Sequence, residues 1–262
     1  YIPRDIAQAI IERPELLSLG GEKRAIFVLF SDLEGFTKMS HAIAPEMVAK
    51  ANAIAAERLL EVVGYNLLRH EPERATGLGV DSGAHAALRS RLEDQSPAGQ
   101  QAFAATLRED LARVRAFPRE GLDADTVTSL EVVESAYASA LDGFALPYGD
   151  VAVGSWRNAP YVVIQNVGSY LDLPRFMDST HPLEDGDDAD AFTARLEAIP
   201  TALAGELERM QAARAMGVIP PGFLLDKAEA AMVTTLKSAM AGQLFAEPLR
   251  APEYRVVVKR IH

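Results

Sequence analysis

Apolar residues recur through most of this chain at intervals of three and four, the spacing that lines one side of an α-helix. From about Ala51 such a stripe runs through Ile54, Leu59, Val62, Val63 and Leu67. Ser96-Pro97 opens a second helix with Phe103, Leu107, Leu111 and Val114, and a third carries Leu130, Val133, Tyr137, Leu141 and Phe144. After the acidic loop Glu184–Asp188 a fourth runs through Phe192, Leu196 and Ile199. Pro200 then kinks it, or restarts it before Leu203, Leu207 and Met210. A fifth, after the turn Pro220-Pro221-Gly222, shows Leu225, Met232, Leu236, Met240 and Leu244.

Two stretches break this rhythm. Ala25–Phe30 is a continuous apolar run after Gly20-Gly21, as expected of a strand buried on both faces. An amphipathic helix from Pro3 to about Leu17 precedes it, with Ile6, Ile10 and Ile11 on one face; Ala44-Pro45-Glu46 later reads as a fresh helix start. The second break, Tyr148 to Phe176, is rich in Gly, Asn and β-branched residues and predicts short strands and ordered loop. The expected fold is therefore mainly α. A helical body over 51–262 follows a short β-α piece over 1–50, with an irregular or short-strand segment near 148–176.

Composition narrows the function more than the fold. At 262 residues, 48% apolar and 24% charged, the chain has the make-up of an ordinary soluble globular protein. A net charge of −11 argues against a nucleic-acid partner and against docking on an anionic membrane, since both need a basic face. No apolar run approaches the roughly 20 residues of a membrane span, and no signal peptide is visible. Cysteine is absent, which excludes disulfides, thiolate nucleophiles and thiolate metal sites. Neither the cellular address nor the oligomeric state can be read from these features.

The stretch VLFSDLEGFTKMS, Val28 to Ser40, places Asp32 at the end of the predicted strand, before a glycine turn into a helix. A carboxylate there can supply one hard oxygen to a magnesium ion, or it can cap the following helix. Together with YIPRDIAQAII and LGGEKR, the wording resembles the opening of class III adenylate/guanylate cyclase domains over residues 1–50. The resemblance implies nucleotide binding with Mg at Asp32. It also requires a second metal-binding aspartate on a later hairpin, and Gly79-Val80-Asp81, with no strand before it, is a poor match. Asp32 is then at most a vestigial ligand.

From residue 51 to about 240 the text is different. LLRHEPERATGLGVDSGAHAALRSRLEDQSPAGQ, FALPYGDVAVGSWRNAPYVVIQNVGSYLDLPRFMDSTHP and GVIPPGFLLDKA resemble the N-terminal part of the bacterial domain of unknown function 885 family. The resemblance implies a helical, zincin-type peptidase fold, often exported, whose zinc-binding histidines and catalytic glutamate lie in a later half beyond this chain. Zinc is expected only there. In this chain no two of His41, His70, His85, His181 and His262 have the one-turn spacing of a helical zinc motif, and His70-Glu71 is followed by Pro72. The acidic run Glu184 to Asp190 reads as a solvated helix N-terminus.

What remains for function is the segment Tyr148–Phe176. Trp156, Arg157, Asn158, Tyr161, Gln165, Asn166 and Tyr170 give it unusual polar and aromatic density. It is either one wall of a cleft for a peptide ligand, with amides free to pair an extended backbone, or a loop that spends those amides on itself. With neither active site complete, the expectation is a non-catalytic fragment or fusion. Its body is the substrate-binding front half of a metallopeptidase-like protein; the alternatives are a cyclase-derived nucleotide module and a helical interaction protein without ligand.

Overall fold

A computed structural model describes residues 45–155 and 158–240. The expected fold class holds: these residues contain seven α-helices and one 3-10 helix, and strand pairing among them is limited to two isolated antiparallel bridges, Asp150 with Ala159 and Ile164 with Val167. Asp32, the Ala25–Phe30 run, the Pro3–Leu17 helix, Trp156, Arg157 and Leu244 lie outside the described residues.

Helix α1 spans Pro45–His70 and runs through residue 51 without a break. After α2 (Pro72–Gly77) and a 3-10 helix (Gly83–Ser90), the long helices α3 (Pro97–Ala116) and α4 (Ala124–Phe144) pack against each other. Both begin where side chains satisfy orphan amides: Ser96 accepts from Gly99 N at 3.0 Å and Asp123 from Thr126 N at 2.8 Å. Their stripes do what the spacing predicts. Phe103, Leu107, Leu111 and Val114 meet Leu130, Tyr137 and Ala140 in the main core, closed from α1 by Ala56 and Val63.

Two smaller clusters hold the rest. Helix α5 (Ser169–Ser179), α6 (Gly186–Ala215) and α7 (Gly222–Met240) follow in order. Met177 packs with Ala189 and Phe192, while Val162, Val163 and Tyr170 pack with Ala228.

Several expectations need correcting. Pro200 sits inside one continuous α6 and does not restart it. In the second half of α6, Leu207 is 52% exposed, because the helix turns its small residues inward instead. A Cβ on Gly205 would lie 2.6 Å from Ser96 N, so only glycine admits the Gln95–Ser96 backbone there. The α7 stripe is also not buried as a unit: Ala228 is the core residue, and Leu236 is 59% exposed. In the segment 148–176, the last eight residues form the start of α5, not strand or loop.

Candidate functional site

The connection between α1 and α3 is irregular, yet charged groups fix it firmly. Asp81 is buried, and its carboxylate accepts from Thr76 Oγ1 at 2.7 Å and from Arg89 Nε and Nη2. Arg89 Nη1 reaches Asp188 Oδ1 at 2.6 Å, tying this connection to the start of α6. Burial alone would raise the Asp81 carboxyl, but Arg89 and Thr76 outweigh it and hold it below 3.8. Asp188 is 2% exposed, so the acidic run is a solvated helix end only in part. Its Oδ2 also accepts from Glu184 N.

Arg195, on α6, is fully buried and donates to Arg91 O at 2.8 Å, Thr76 Oγ1 at 2.8 Å and Leu88 O at 3.0 Å. Its guanidinium carbon lies 4.8 Å from the centre of the Phe176 ring. Burial draws its pKa down to about 10, with Glu73 and Asp81 pulling the other way, so it stays charged at neutral pH.

Beside this network opens a cavity of about 300 Å³. Glu71, Glu73 and Arg74 of the α1–α2 junction line it, together with Glu93 and Gln95 from the approach to α3. The opposite side is Asp150, Ala152, Val167, Gly168, Ser169, Asp172, Leu173 and Phe176, with Ala202 and Glu206 of α6. Eight residues of the segment 148–176 thus border this cavity.

Carboxylates dominate this cavity. Glu71 is paired with Arg74 at 2.9 Å, yet burial holds it above its ordinary value. Glu73 is raised by burial too, although its carboxylate accepts the Glu93 backbone N–H at 3.1 Å. Glu93 is pushed well above 4.5, first by burial and then by Glu73, Asp150 and Glu71. Glu206 is buried, and its Oε1 accepts both Ser169 N at 2.7 Å and Ser169 Oγ at 2.9 Å, so it serves the first amide of α5. Burial nevertheless raises it. Among the described residues no group of three or more His, Asp and Glu is arranged to hold a metal ion.

The described residues singled out in this segment, Asn158, Tyr161, Gln165, Asn166 and Tyr170, do not line this cavity. The Asn158 amide bonds its own loop, accepting from Ala152 N and donating to Ser155 O. Tyr170 is a core residue whose hydroxyl donates to Ile164 O at 3.0 Å. Tyr161 and Gln165 are half-buried and Asn166 is exposed, and none of the three is among the residues that line this cavity. His181 is buried edge-on against Phe192, with Nδ1 donating to Pro182 O. Glu71, Glu73, Glu93 and Gln95, which do line the cavity, fall in the HEPER and LEDQ stretches; their concentrated acidity beside Pro72 was the available signal.

Comparison with known proteins gives one assignment. The chain belongs to the family of bacterial proteins of unknown function designated DUF885, whose model matches residues 72–259. The match opens later than Ala51 and extends beyond residue 240. No curated protein and no solved structure matches the chain.

Proposed function

We propose that the described body is the substrate-binding part of a peptidase-like protein and takes the cationic end of an extended peptide in the acidic cavity. The observation that carries this reading is the composition of the cavity walls. Glu71, Glu73, Glu93, Asp150 and Glu206 converge there, and among the described residues Arg74 is the one cation in the lining. An ammonium group entering this space would favour the ionised form of Glu71, Glu73 and Glu93, which burial first, and at Glu73 and Glu93 neighbouring carboxylates next, hold above their ordinary values, and would exchange repulsion for ion pairs. Leu173 and Phe176 supply apolar surface beside the charges, the mixture that ligand pockets use.

The nucleotide-binding alternative gains nothing from the described residues. Asp81, its only nearby candidate for a second metal-binding aspartate, is committed to Arg89 and Thr76.

Fluorescence anisotropy with the C-terminally labelled peptide amide Lys-Gly-Gly-Gly tests the proposal. It should bind at least about tenfold more tightly than Glu-Gly-Gly-Gly, corresponding to one favourable charge contact in a partly buried site. The affinity should weaken with added salt. Equal binding of the two peptides, or of neither, overturns the reading.

A further inference from the structure

A second cavity, of about 430 Å³, lies next along α6. The two share a partition. Asp150 and Ala152 face the acidic cavity while Gly149 and Val151 face the other, as alternate residues of an extended segment do. Arg209 of α6 locks this partition by donating to Asp150 Oδ1 at 2.6 Å, Gly149 O at 3.0 Å and Gln95 Oε1 at 3.0 Å. Gly149 has φ +94, and a Cβ there would meet Ala159 O at 2.7 Å, so the backbone pairing that shapes the wall needs glycine.

The second cavity differs in chemistry. Phe144, Leu146, Pro147, Tyr148, Val151 and Val162 give it an apolar side, Gln100, Gln101, Arg108 and Arg209 give it a polar one, and among the described residues no carboxylate lines it. Leu146 is 52% exposed at its mouth. On α6 the first cavity meets Ala202 and Glu206 and the second meets Arg209 and Ala212. At 1.5 Å rise per residue these pairs are centred about 10 Å apart, which is the reach of about three residues of extended peptide.

We infer that the second cavity is the subsite for a bulky apolar side chain of the same peptide, placed three residues beyond its cationic group. The inference rests on the peptide-binding reading. Charge complementarity at the first cavity fixes the direction of the chain, and the spacing of the two cavities along α6 matches its fourth residue to the second, with the peptide crossing over the edge of the 149–152 partition.

The test compares the labelled amides Lys-Gly-Gly-Gly, Lys-Gly-Gly-Phe and Lys-Phe-Gly-Gly. Lys-Gly-Gly-Phe should bind about tenfold more tightly than Lys-Gly-Gly-Gly, the gain expected from burying much of a phenyl ring. Lys-Phe-Gly-Gly should gain little. Ala212→Trp, at an exposed helical position lining the second cavity, should erase the Phe advantage, read as the ratio of the two Kd values within the variant. If Lys-Gly-Gly-Gly binds but Phe at the fourth position adds nothing, the subsite is wrong and the acidic cavity reading stands. If Ala212→Trp keeps the Phe advantage, the apolar side chain sits elsewhere and the subsite is again wrong. Failure of every peptide to bind overturns both.

Discussion

Arg89 and Asp188 are 99 residues apart in the chain and 2.6 Å apart in the fold, and the same guanidinium also holds Asp81. Both carboxylates are almost completely buried, whereas the Arg89 side chain is 30% exposed. Removing the cation leaves two buried negative charges without their partner, a worse outcome than never having built the pair. Arg89→Met is expected to lower stability by about 2 kcal/mol, less than for a fully buried pair because solvent screens part of the interaction. Urea unfolding of the variant measures it. The loss should shrink in acid: the contribution of Asp81 is present above its ordinary value of 3.8 and disappears as pH falls through its depressed folded value. A variant as stable as the parent at neutral pH rules this network out as a stabilising clamp.

The contrast between α3 and the connection before it explains what could be read from the sequence. Phe103, Leu107, Leu111 and Val114 announce their helix because partners within one element repeat at a fixed spacing. Asp81, Arg89, Asp188 and Arg195 have no such spacing: Asp81 meets Arg89 across an irregular turn, and Arg89 with Asp188 and Arg195 with Thr76 join positions about a hundred residues apart. Leu203, Leu207 and Leu236 show the opposite failure. Their spacing is helical, but which face is buried was decided by where α6 and α7 touch their neighbours, through Gly205 and Ala228. That the segment before α5 breaks the helical rhythm was legible from composition. Which of its residues line the cavity was not, because amides and aromatics that look available, such as Asn158 and Tyr170, are needed to satisfy the loop itself.

Two glycines in helix interiors separate close packing from simple helix propensity. A Cβ at Gly205 would lie 2.6 Å from Ser96 N and 2.7 Å from Gln95 C, both backbone atoms that cannot swing aside. Nothing lies within 4 Å of a Cβ at Gly64 in α1. Gly64→Ala should therefore stabilise the protein by about 1 kcal/mol through helix propensity alone. Gly205→Ala carries the same propensity gain but forces α6 off the Gln95–Ser96 backbone, for a net loss of about 1–2 kcal/mol. Paired thermal melts decide it, and shifts of the same sign would show that the close approach at Gly205 is not real. Because Gln95 and Glu206 line the acidic cavity, Gly205→Ala should weaken binding of Lys-Gly-Gly-Gly as well.

Binding itself should depend on pH in a defined direction. A cation prefers the ionised carboxylates, and while Glu73 and Glu93 hold protons it must displace them. Affinity for Lys-Gly-Gly-Gly should rise as pH climbs from about 4.5 through the raised values of these groups and then level off. Calorimetry in two buffers of different ionisation heat should show proton release on binding in that interval. Affinity that is flat from pH 5 to pH 8 argues against the carboxylates as the contact.

The same groups make the cleft costly to the fold, and Glu93 offers the cleanest measurement. Its carboxyl is raised well above 4.5 by burial and then by Glu73, Asp150 and Glu71, so the folded state holds this proton more tightly than the unfolded chain does. Its contribution is most favourable below the unfolded value and is lost as pH rises through the folded one. His181 opposes this trend, because burial lowers its pKa and the fold pays for charging it as pH falls below 6.5. The wild-type melting curve therefore mixes two slopes, and only a difference isolates Glu93. Glu93→Gln removes the titration while keeping shape, so its Tm advantage over wild type should be near zero at pH 4.5 and grow steadily toward pH 7. An advantage that is constant across that range, or largest in acid, would mean that Glu93 ionises freely and that the cavity is open to bulk water.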